Sequence, residues 1–248
     1  MSNPPAIGLV HGWAMHGGLF EDMTARWPEA GWRRVDLPGH GRARDRPWPA
    51  EIQALLDPIY TAVPPGGWLA GWSLGGLLSM QAALARPGYF AGLVLIAATP
   101  CFPSTPNWPH GVNGALLGSM ADELVEEPGK VLNRFLALAV HGGVRASAEL
   151  RRLRRAALIH GPPDSAALAA GLEHLATTDL SGRLAELGLP VLLIGGRRDR
   201  LVAWAAIEDT ARRLPGADHI GIPGAAHAPF LTEPGRVATG IREFIDAT

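Results

Sequence analysis

The chain has 248 residues, of which 47% are hydrophobic and 18% are charged, with a formal net charge of −1 at pH 7. This length suits one domain with a large core, or one domain that carries an insertion, and the composition excludes an intrinsically disordered chain. The nearly balanced charge excludes a global attraction to nucleic acid or to an anionic membrane surface, so electrostatic recognition requires a local patch.

The single cysteine, Cys101, excludes an intramolecular disulfide and fits a reducing compartment. We interpret it as a small apolar side chain near a turn. The sequence shows no secretory leader, and no apolar run reaches the roughly 18 residues that a membrane helix needs. We therefore expect a cytoplasmic, monomeric protein with no membrane or nucleic-acid partner.

Short apolar segments bounded by glycine and proline recur along the chain and predict strands of a parallel sheet that is covered on both faces. They occupy residues 7–10, 68–71, 93–97, 191–194 and 219–222. Helical patterns lie between them at 52–63, 74–85 and 204–214. This alternation predicts an α/β fold with a doubly wound, mostly parallel sheet.

One long segment interrupts the alternation of strands and helices. It contains only helical patterns, at 112–125, 129–141, 146–159 and 165–177. Four helices inserted between two strands of a sheet predict a lid over a substrate pocket. We therefore assign residues 1–102 and 188–248 to an α/β core and residues 103–187 to the lid.

The sharpest motif is a G-x-S-x-G pentapeptide at residues 71–75, centred on Ser73. It lies where a predicted strand meets a predicted helix, which is the context that a nucleophile elbow requires. Small residues on both sides allow the tight turn, and the helix N-terminus favours developing negative charge. We predict that Ser73 is a catalytic nucleophile; the alternative is an ordinary helix start with Ser73 as its N-cap.

A nucleophilic serine needs a base and an orienting acid. In this fold both follow the serine along the chain, the acid first and then the histidine that acts as the base. His227 lies among small residues in a predicted strand-to-helix connection, and we prefer it to His219, which lies within a predicted strand. Asp199 follows the strand at 191–194, at the sheet edge where catalytic groups collect. The alternative acid, Asp179, has no preceding strand.

Acyl transfer also requires hydrogen-bond donors for the tetrahedral oxyanion. The elbow supplies the backbone N–H of Leu74, and the loop after the first strand, His11-Gly12-Trp13, supplies the N–H of Trp13. We interpret His11 itself as structural, and the similar loop at 36–42 as a scaffold turn.

The predicted lid carries a strongly basic segment. Between residues 130 and 155 it has one acid, Glu149, and seven basic residues: Lys130, Arg134, Arg145, Arg151, Arg152, Arg154 and Arg155. Helical spacing places Arg151 and Arg155 on one face. Charge alone favours a solvated helix face, and the functional alternative is a docking surface for an acidic partner.

Five motifs together resemble the BioH family, the pimeloyl-[acyl-carrier protein] methyl ester esterases of biotin synthesis. They are HGW at 11–13, DLPGHG at 36–41, GWSLGG at 71–76, RFLAL at 134–138 and AHAPF at 226–230. The HG, GxSxG and late-histidine elements are common to α/β-hydrolases, whereas WSLGG, RFLAL and AHAPF are more discriminating. The resemblance runs from about residue 7 to the C-terminus and includes the lid.

The resemblance implies an α/β-hydrolase fold and a serine carboxylesterase that needs no metal or cofactor. Its substrate would be the methyl ester of pimeloyl-[acyl-carrier protein], and its partner the acidic acyl-carrier protein. It further implies a substrate site formed by Trp13, Leu74, Phe135, Leu138, Ala139 and His227. It also favours docking over a solvated face, through Lys130, Arg134, Arg151 and Arg155.

Two departures from the superfamily pattern leave room for a divergent substrate. About six residues precede the HG strand, so we expect the usual N-terminal hairpin to be reduced or missing. The loop at 39–44 reads GHGRAR, without the serine often found after GHGR. The alternatives are a short-chain carboxylesterase without carrier specificity, a C–C hydrolase or lyase, and a ligand receptor on the same fold.

Overall fold

Six parallel strands form the centre of the molecule in a computed structural model, which describes residues 4–248. The strands are β1 (Ala6–Val10), β2 (Gly31–Val35), β3 (Trp68–Trp72), β4 (Gly92–Ile96), β5 (Val191–Gly196) and β6 (Asp218–Ile222). They lie in the order β2-β1-β3-β4-β5-β6, and each neighbouring pair is parallel. The four central strands are almost wholly buried, which is why they read as continuous apolar runs.

The five predicted strands are confirmed to within two residues at each end, but the sequence analysis missed β2. This strand lies at an edge of the sheet and pairs only with β1, from Ala6 opposite Gly31 to Val10 opposite Val35. Two of its five residues, Arg33 and Arg34, are exposed. An edge strand with this composition has no continuous apolar run, so hydrophobic periodicity alone does not detect it.

The first strand of the described residues is β1, and every pairing in the sheet that residues 4–248 form is parallel. These residues therefore contain no antiparallel hairpin ahead of the HG strand, as expected for this part of the chain.

Helices cover both faces of the sheet. They are α1 (Glu21–Thr24), α2 (Ile52–Ala62), α3 (Leu74–Ala85), α4 (Gly114–Leu124), α5 (Pro128–Val140), α6 (Ala146–Leu158), α7 (Ser165–Thr177), α8 (Trp204–Arg213), α9 (Pro229–Thr232) and α10 (Pro234–Ala247). Three short 3-10 helices, Gly17–Phe20, Gly41–Ala43 and Leu184–Leu187, lie in the connections. No helix within residues 4–248 is long and apolar enough to cross a membrane.

The helices α4–α7 form a helical insert between β4 and β5, and all four were predicted to within two residues at each end. Local signals set its boundaries. The side chain of Asn113 caps α4 by accepting from Ala115 N, and that of Asp164 caps α7 by accepting from Ala167 N. Pro128 occupies the first turn of α5, where a missing N–H has no cost. Helices α4 and α7 pack together, as do α5 and α6, and α7 also contacts α3 of the core.

His11 joins the end of β1 to the turn that follows β2. Its Nδ1–H donates to the Gly12 carbonyl at 2.8 Å, and its Nε2 accepts from Leu37 N at 2.9 Å. Burial, together with the neighbouring His40, lowers the pKa of His11 to about 3. The ring is therefore neutral in the folded protein, and its structural role agrees with the expectation from sequence.

This buried ring predicts acid sensitivity of the fold. An unfolded His11 binds a proton below about pH 6.5, whereas the folded ring stays neutral down to about pH 3, so stability falls as pH decreases through this window. His11 alone lowers the free energy of unfolding by about 1.4 kcal/mol between pH 7.5 and pH 5.5. Urea unfolding at the two pH values measures this loss.

The variant His11→Gln removes the titrating ring. Between pH 7.5 and pH 5.5 we expect its free energy of unfolding to fall by about 1.4 kcal/mol less than that of the wild type. His219→Gln, on the exposed part of edge strand β6, is the matched control and keeps the full loss. Equal pH dependence in His11→Gln and the wild type would contradict the prediction.

Candidate active site

Ser73 lies on a sharp turn between β3 and α3. Its backbone angles, φ 55° and ψ −119°, are in a region that non-glycine residues rarely adopt. The turn depends on missing side chains: a Cβ on Gly71 would lie 2.2 Å from the Gly75 carbonyl oxygen, and a Cβ on Gly75 would lie 2.2 Å from the Val10 carbonyl oxygen. The glycines of the motif are therefore required by packing, and the turn has the geometry of a nucleophile elbow.

A continuous hydrogen-bond chain leads from this serine to a buried carboxylate. Ser73 Oγ–H donates to His227 Nε2 at 2.9 Å, and His227 Nδ1–H donates to Asp199 Oδ2 at 2.8 Å. The side chains of His227 and Asp199 are both 0% exposed, so water does not compete for these bonds. The structure thus brings together the three residues that were predicted from separate motifs.

Asp199 is held in place by the loop that follows β5. Its second oxygen, Oδ1, accepts from the backbone N–H groups of Leu201 at 2.8 Å and Val202 at 3.1 Å. These two bonds leave Oδ2 for the histidine and fix the orientation of the carboxylate.

The alternative residues lie elsewhere. His219 is exposed on edge strand β6, where its ring packs beside Trp204. Asp179 accepts from Ser181 N at 2.8 Å and pairs with Cys101 in an isolated bridge. Burial, and then the charge of Asp179, raise the pKa of the buried Cys101 thiol to about 11, which agrees with its interpretation as a small apolar side chain.

The two candidate oxyanion donors flank Ser73. Leu74 is the first residue of α3, so its N–H has no acceptor within the helix. Trp13 follows Gly12, and a Cβ on Gly12 would lie only 3.2 Å from Ser73 Cβ. The loop after β1 therefore passes directly against Ser73.

The side chain of Trp13 connects this loop to the helical insert, a contact that the sequence analysis missed. Its indole Nε1–H donates to the Leu168 carbonyl of α7 at 2.8 Å. A Cβ on Gly171 would lie 3.1 Å from Trp13 Cδ1 and 3.5 Å from Leu74 Cδ2. Helix α7 thus packs closely on both candidate donor residues, and the glycine in its middle is the only local sign of it in the sequence.

Helix α5 contacts the site from the other side. The Phe135 ring lies 4.8 Å from the Trp13 ring, and the Ala139 carbonyl accepts from His227 N at 2.9 Å. Leu138 is half-buried and packs against the core. Of the three α5 residues expected in the substrate site, Phe135 and Ala139 directly contact Trp13 and His227.

Trp72, the variable residue of the pentapeptide before Ser73, is a second feature that sequence reasoning missed. Its Nε1–H donates to the His227 carbonyl at 2.7 Å. With the Ala139 bond, both backbone groups of His227 are therefore held by hydrogen bonds, one from the core and one from the insert. The histidine is oriented by its backbone as well as by Asp199.

The four expected docking residues lie on the neighbouring helices α5 and α6, but their charges differ in availability. Lys130 pairs with Glu127 at 2.5 Å, and Arg134 pairs with Glu123 at 2.9 Å. By contrast, Arg151 and Arg155 have exposed side chains and form no ion pair within residues 4–248. The sequence analysis overlooked both acids because they lie at or before residue 127, outside the segment it considered.

The arrangement has the parts that a serine hydrolase needs: a serine hydroxyl, an imidazole that contacts it, a carboxylate that orients the imidazole, and backbone N–H groups beside the serine. In the described part of the chain, no group of three or more His, Cys, Asp or Glu side chains could hold a metal ion.

Comparisons with known proteins place the chain in a family. A family model described as alpha/beta hydrolase fold matches residues 5–234. A pimeloyl-[acyl-carrier protein] methyl ester esterase of Xylella fastidiosa (strain M23) is 41% identical over 244 residues, which are 97% of this chain and 95% of that protein. The esterase of the same description from Stenotrophomonas maltophilia (strain K279a) is 42% identical, over 98% of this chain and 93% of its own. The chain belongs to this family of alpha/beta hydrolases.

Solved structures agree on the fold. An esterase from Exiguobacterium antarcticum superposes with a TM-score of 0.85 at 17% identity, covering 99% of this chain and 93% of its own. The enol-lactonase from Burkholderia xenovorans LB400 gives a TM-score of 0.81 at 18% identity, covering 99% and 92%. At these identities the likeness concerns the architecture, which hosts more than one reaction.

The bond from Trp13 to α7 yields a prediction about reactivity. Trp13→Phe keeps an aromatic ring but removes the N–H that holds the loop, so the backbone donor beside Ser73 is less well positioned. We expect the rate of Ser73 labelling by a fluorophosphonate to fall about tenfold, because oxyanion stabilisation depends on donor geometry.

The matched control is Trp32→Phe, which removes a similar indole bond, to the Trp27 carbonyl, far from Ser73. Each substitution should lower the free energy of unfolding by about 1 kcal/mol. Only Trp13→Phe should slow labelling; equal labelling rates in the two variants would show that the Trp13 bond serves stability alone.

Proposed function

We propose that this protein hydrolyses the methyl ester of pimeloyl-[acyl-carrier protein], releasing methanol and pimeloyl-[acyl-carrier protein], as a step of biotin synthesis. The observation that carries the proposal is the buried chain from Ser73 through His227 to Asp199, with contacts of 2.9 and 2.8 Å. Identity of about 41% to esterases of this description, over nearly the whole chain, supports the choice of substrate.

In the proposed mechanism, Ser73 Oγ attacks the ester carbonyl while His227 Nε2 accepts its proton. Asp199 stabilises the imidazolium that forms, and the N–H groups of Leu74 and Trp13 stabilise the oxyanion. His227 then donates the proton to the departing methanol oxygen. A water molecule, deprotonated by His227, releases the acid and restores Ser73.

We further propose that residues 103–187 act as a lid on the core formed by residues 1–102 and 188–248. Ser73 is only 1% exposed, so an ester reaches it between the helical insert and the core. Phe135, Leu138 and Ala139 of α5 would line the path of the acyl chain. Because Trp13 and His227 both bond to the insert, closure over a substrate would also complete the geometry of the site.

The carrier protein would dock on the basic residues of α5 and α6. Arg151 and Arg155 are free to pair with carboxylates of an acidic partner. Lys130 would release Glu127 and Arg134 would release Glu123, and each would pair with a carboxylate of the carrier instead. Exposed pairs of this kind are individually weak, so the four cations would set the encounter rate more than the affinity.

The nucleophile assignment is tested by Ser73→Ala. We expect hydrolysis of methyl pimeloyl-carrier protein to fall by at least about a thousandfold, since a triad without its nucleophile keeps only residual catalysis. Fluorophosphonate labelling should disappear as well. Ser119→Ala, on α4, is the control and should retain both activities. Persistent labelling of Ser73→Ala would disprove the assignment.

The docking assignment is tested by Arg151→Glu and Arg155→Glu. On the carrier-bound ester we expect kcat/KM to fall about tenfold per substitution, with the larger part in KM, because charge complementarity with the carrier is lost. On free dimethyl pimelate both variants should match the wild type, since this small ester does not touch the docking surface.

Arg33→Glu, at the exposed edge strand β2, changes the net charge equally and should leave kcat/KM on the carrier-bound ester unchanged. If all three variants hydrolyse the carrier-bound ester like the wild type, these arginines do not dock the carrier. If the wild type shows no preference for the carrier-bound ester over dimethyl pimelate, the protein is a general carboxylesterase.

A further inference from the structure

A second polar pocket lies beside edge strand β2 and shares no residue with the triad. Its volume is about 290 Å³. The side chains that matter for its chemistry are those of His16, Arg34, Asp36, Arg42, Arg46 and His160. Five of them belong to the core, and His160 follows α6 of the helical insert.

The pocket has an excess of positive charge. None of Arg34, Arg42 and Arg46 forms an ion pair with a carboxylate in the part of the chain that the structure describes. Arg34 donates one bond, from Nη2 to Thr24 Oγ1 at 2.9 Å. Three arginines that line one pocket bring positive charges near each other, and an anion bound there would reduce their repulsion.

The single carboxylate of the pocket, Asp36, already serves the backbone. Its two oxygens accept from Gly17 N at 2.6 Å and from Arg42 N at 2.9 Å. Burial would raise the pKa of Asp36, but these two bonds outweigh it and hold the pKa below its ordinary value. Asp36 therefore fixes the walls of the pocket and compensates one of the three arginine charges.

His16 forms part of the wall of the pocket. It is 8% exposed, and its Nδ1 accepts from Gly18 N at 3.1 Å, so the ring proton is on Nε2. Burial lowers the pKa of His16, while the Ala156 carbonyl of α6, which lies close to the ring, acts in the opposite direction. His16 therefore forms a wall between the core and the helical insert and does not donate into the pocket.

The backbone of the pocket is built for close packing around His16. Gly41 has φ +53°, and a Cβ there would lie 2.6 Å from both Asp36 Oδ2 and His16 Cβ. A Cβ on Gly18 would lie 2.6 Å from His16 Cε1. Both glycines allow an approach that no other residue permits, so the walls are in place before any ligand arrives.

From these observations, we propose that the pocket binds a phosphate group, either inorganic phosphate or the phosphate of a small monoester. Guanidinium forks are suited to its tetrahedral oxygens, and the volume admits one such group or a small monoester of it. The bound anion would bring together His16, Arg34, Arg42 and Arg46 of the core and His160 of the insert.

The position of His160 gives the site a structural consequence. The His160 ring meets the His16 ring edge-on at 4.7 Å, and its carbonyl accepts from Arg44 Nη1 at 3.1 Å. An anion in the pocket would add a third link between core and insert at this point. Binding is therefore expected to slow backbone hydrogen exchange at the end of α6.

The test is titration calorimetry of the full-length protein with inorganic phosphate, and separately with glycerol 3-phosphate, each against sodium chloride at matched ionic strength. We expect saturable binding of phosphate, weakened at least about tenfold in the double variant Arg42→Gln, Arg46→Gln, because charge-assisted bonds are lost. Both arginines are exposed, so the variant keeps the fold. Arg33→Gln, also exposed and on β2, is the matched control and should bind like the wild type.

Tighter binding of glycerol 3-phosphate than of phosphate would identify a monoester as the ligand, and equal binding would identify free phosphate. Absence of saturable binding at millimolar concentrations, or equal weakening in Arg33→Gln, would overturn the proposal. Esterase activity is measured independently on the same variants. A loss of esterase activity would concern Ser73 and not this pocket, since the two sites share no residue.

Discussion

The left-handed backbone of Ser73 is the constraint on which the site depends. At φ 55° the chain turns sharply enough to leave Oγ above the sheet, and this is compatible only with glycine at positions 71 and 75. The close packing that these glycines allow brings the ends of β1 and β3 together. The HG loop then passes against the serine, which is followed directly by the first N–H of α3. The strained turn at Ser73 therefore positions both the candidate nucleophile and the candidate oxyanion donors.

The helical insert is connected to the residues beside this strained turn by hydrogen bonds that its backbone carbonyls accept. Ala139 holds the nitrogen of His227, and Leu168 holds the indole of Trp13. Both bonds link the insert to the base and to a candidate oxyanion donor, and neither involves the nucleophile itself. In the proposed mechanism, a movement of the insert would change the orientation of His227 and the position of Trp13 together, which would couple access of the substrate to the geometry of the site.

The arginines on different faces of the molecule differ in whether a carboxylate compensates their charge. Arg134 is compensated by Glu123, whereas Arg151 and Arg155 of α6 form no ion pair with any residue from 4 to 248, and the arginines beside β2 line a pocket with one carboxylate. The net charge of −1 conceals this distribution. The local excess of positive charge, and not the net charge of the protein, determines which anionic partner a surface attracts. Screening by salt limits the effect of each charge to its immediate surroundings.

The sequence by itself determined the elements and the chemistry that short stretches specify. Continuous apolar runs marked the buried strands, the pentapeptide marked Ser73, and chain order with small neighbours selected Asp199 and His227. Edge strand β2 was not predicted, because an exposed strand has no continuous apolar run. Only the tertiary structure decided the contacts between distant segments: Trp13 with Leu168, Trp72 with His227, and Arg134 with Glu123. Such contacts depend on how elements pack in three dimensions, and a carbonyl or a surface carboxylate gives no sign in the sequence of the partner it meets.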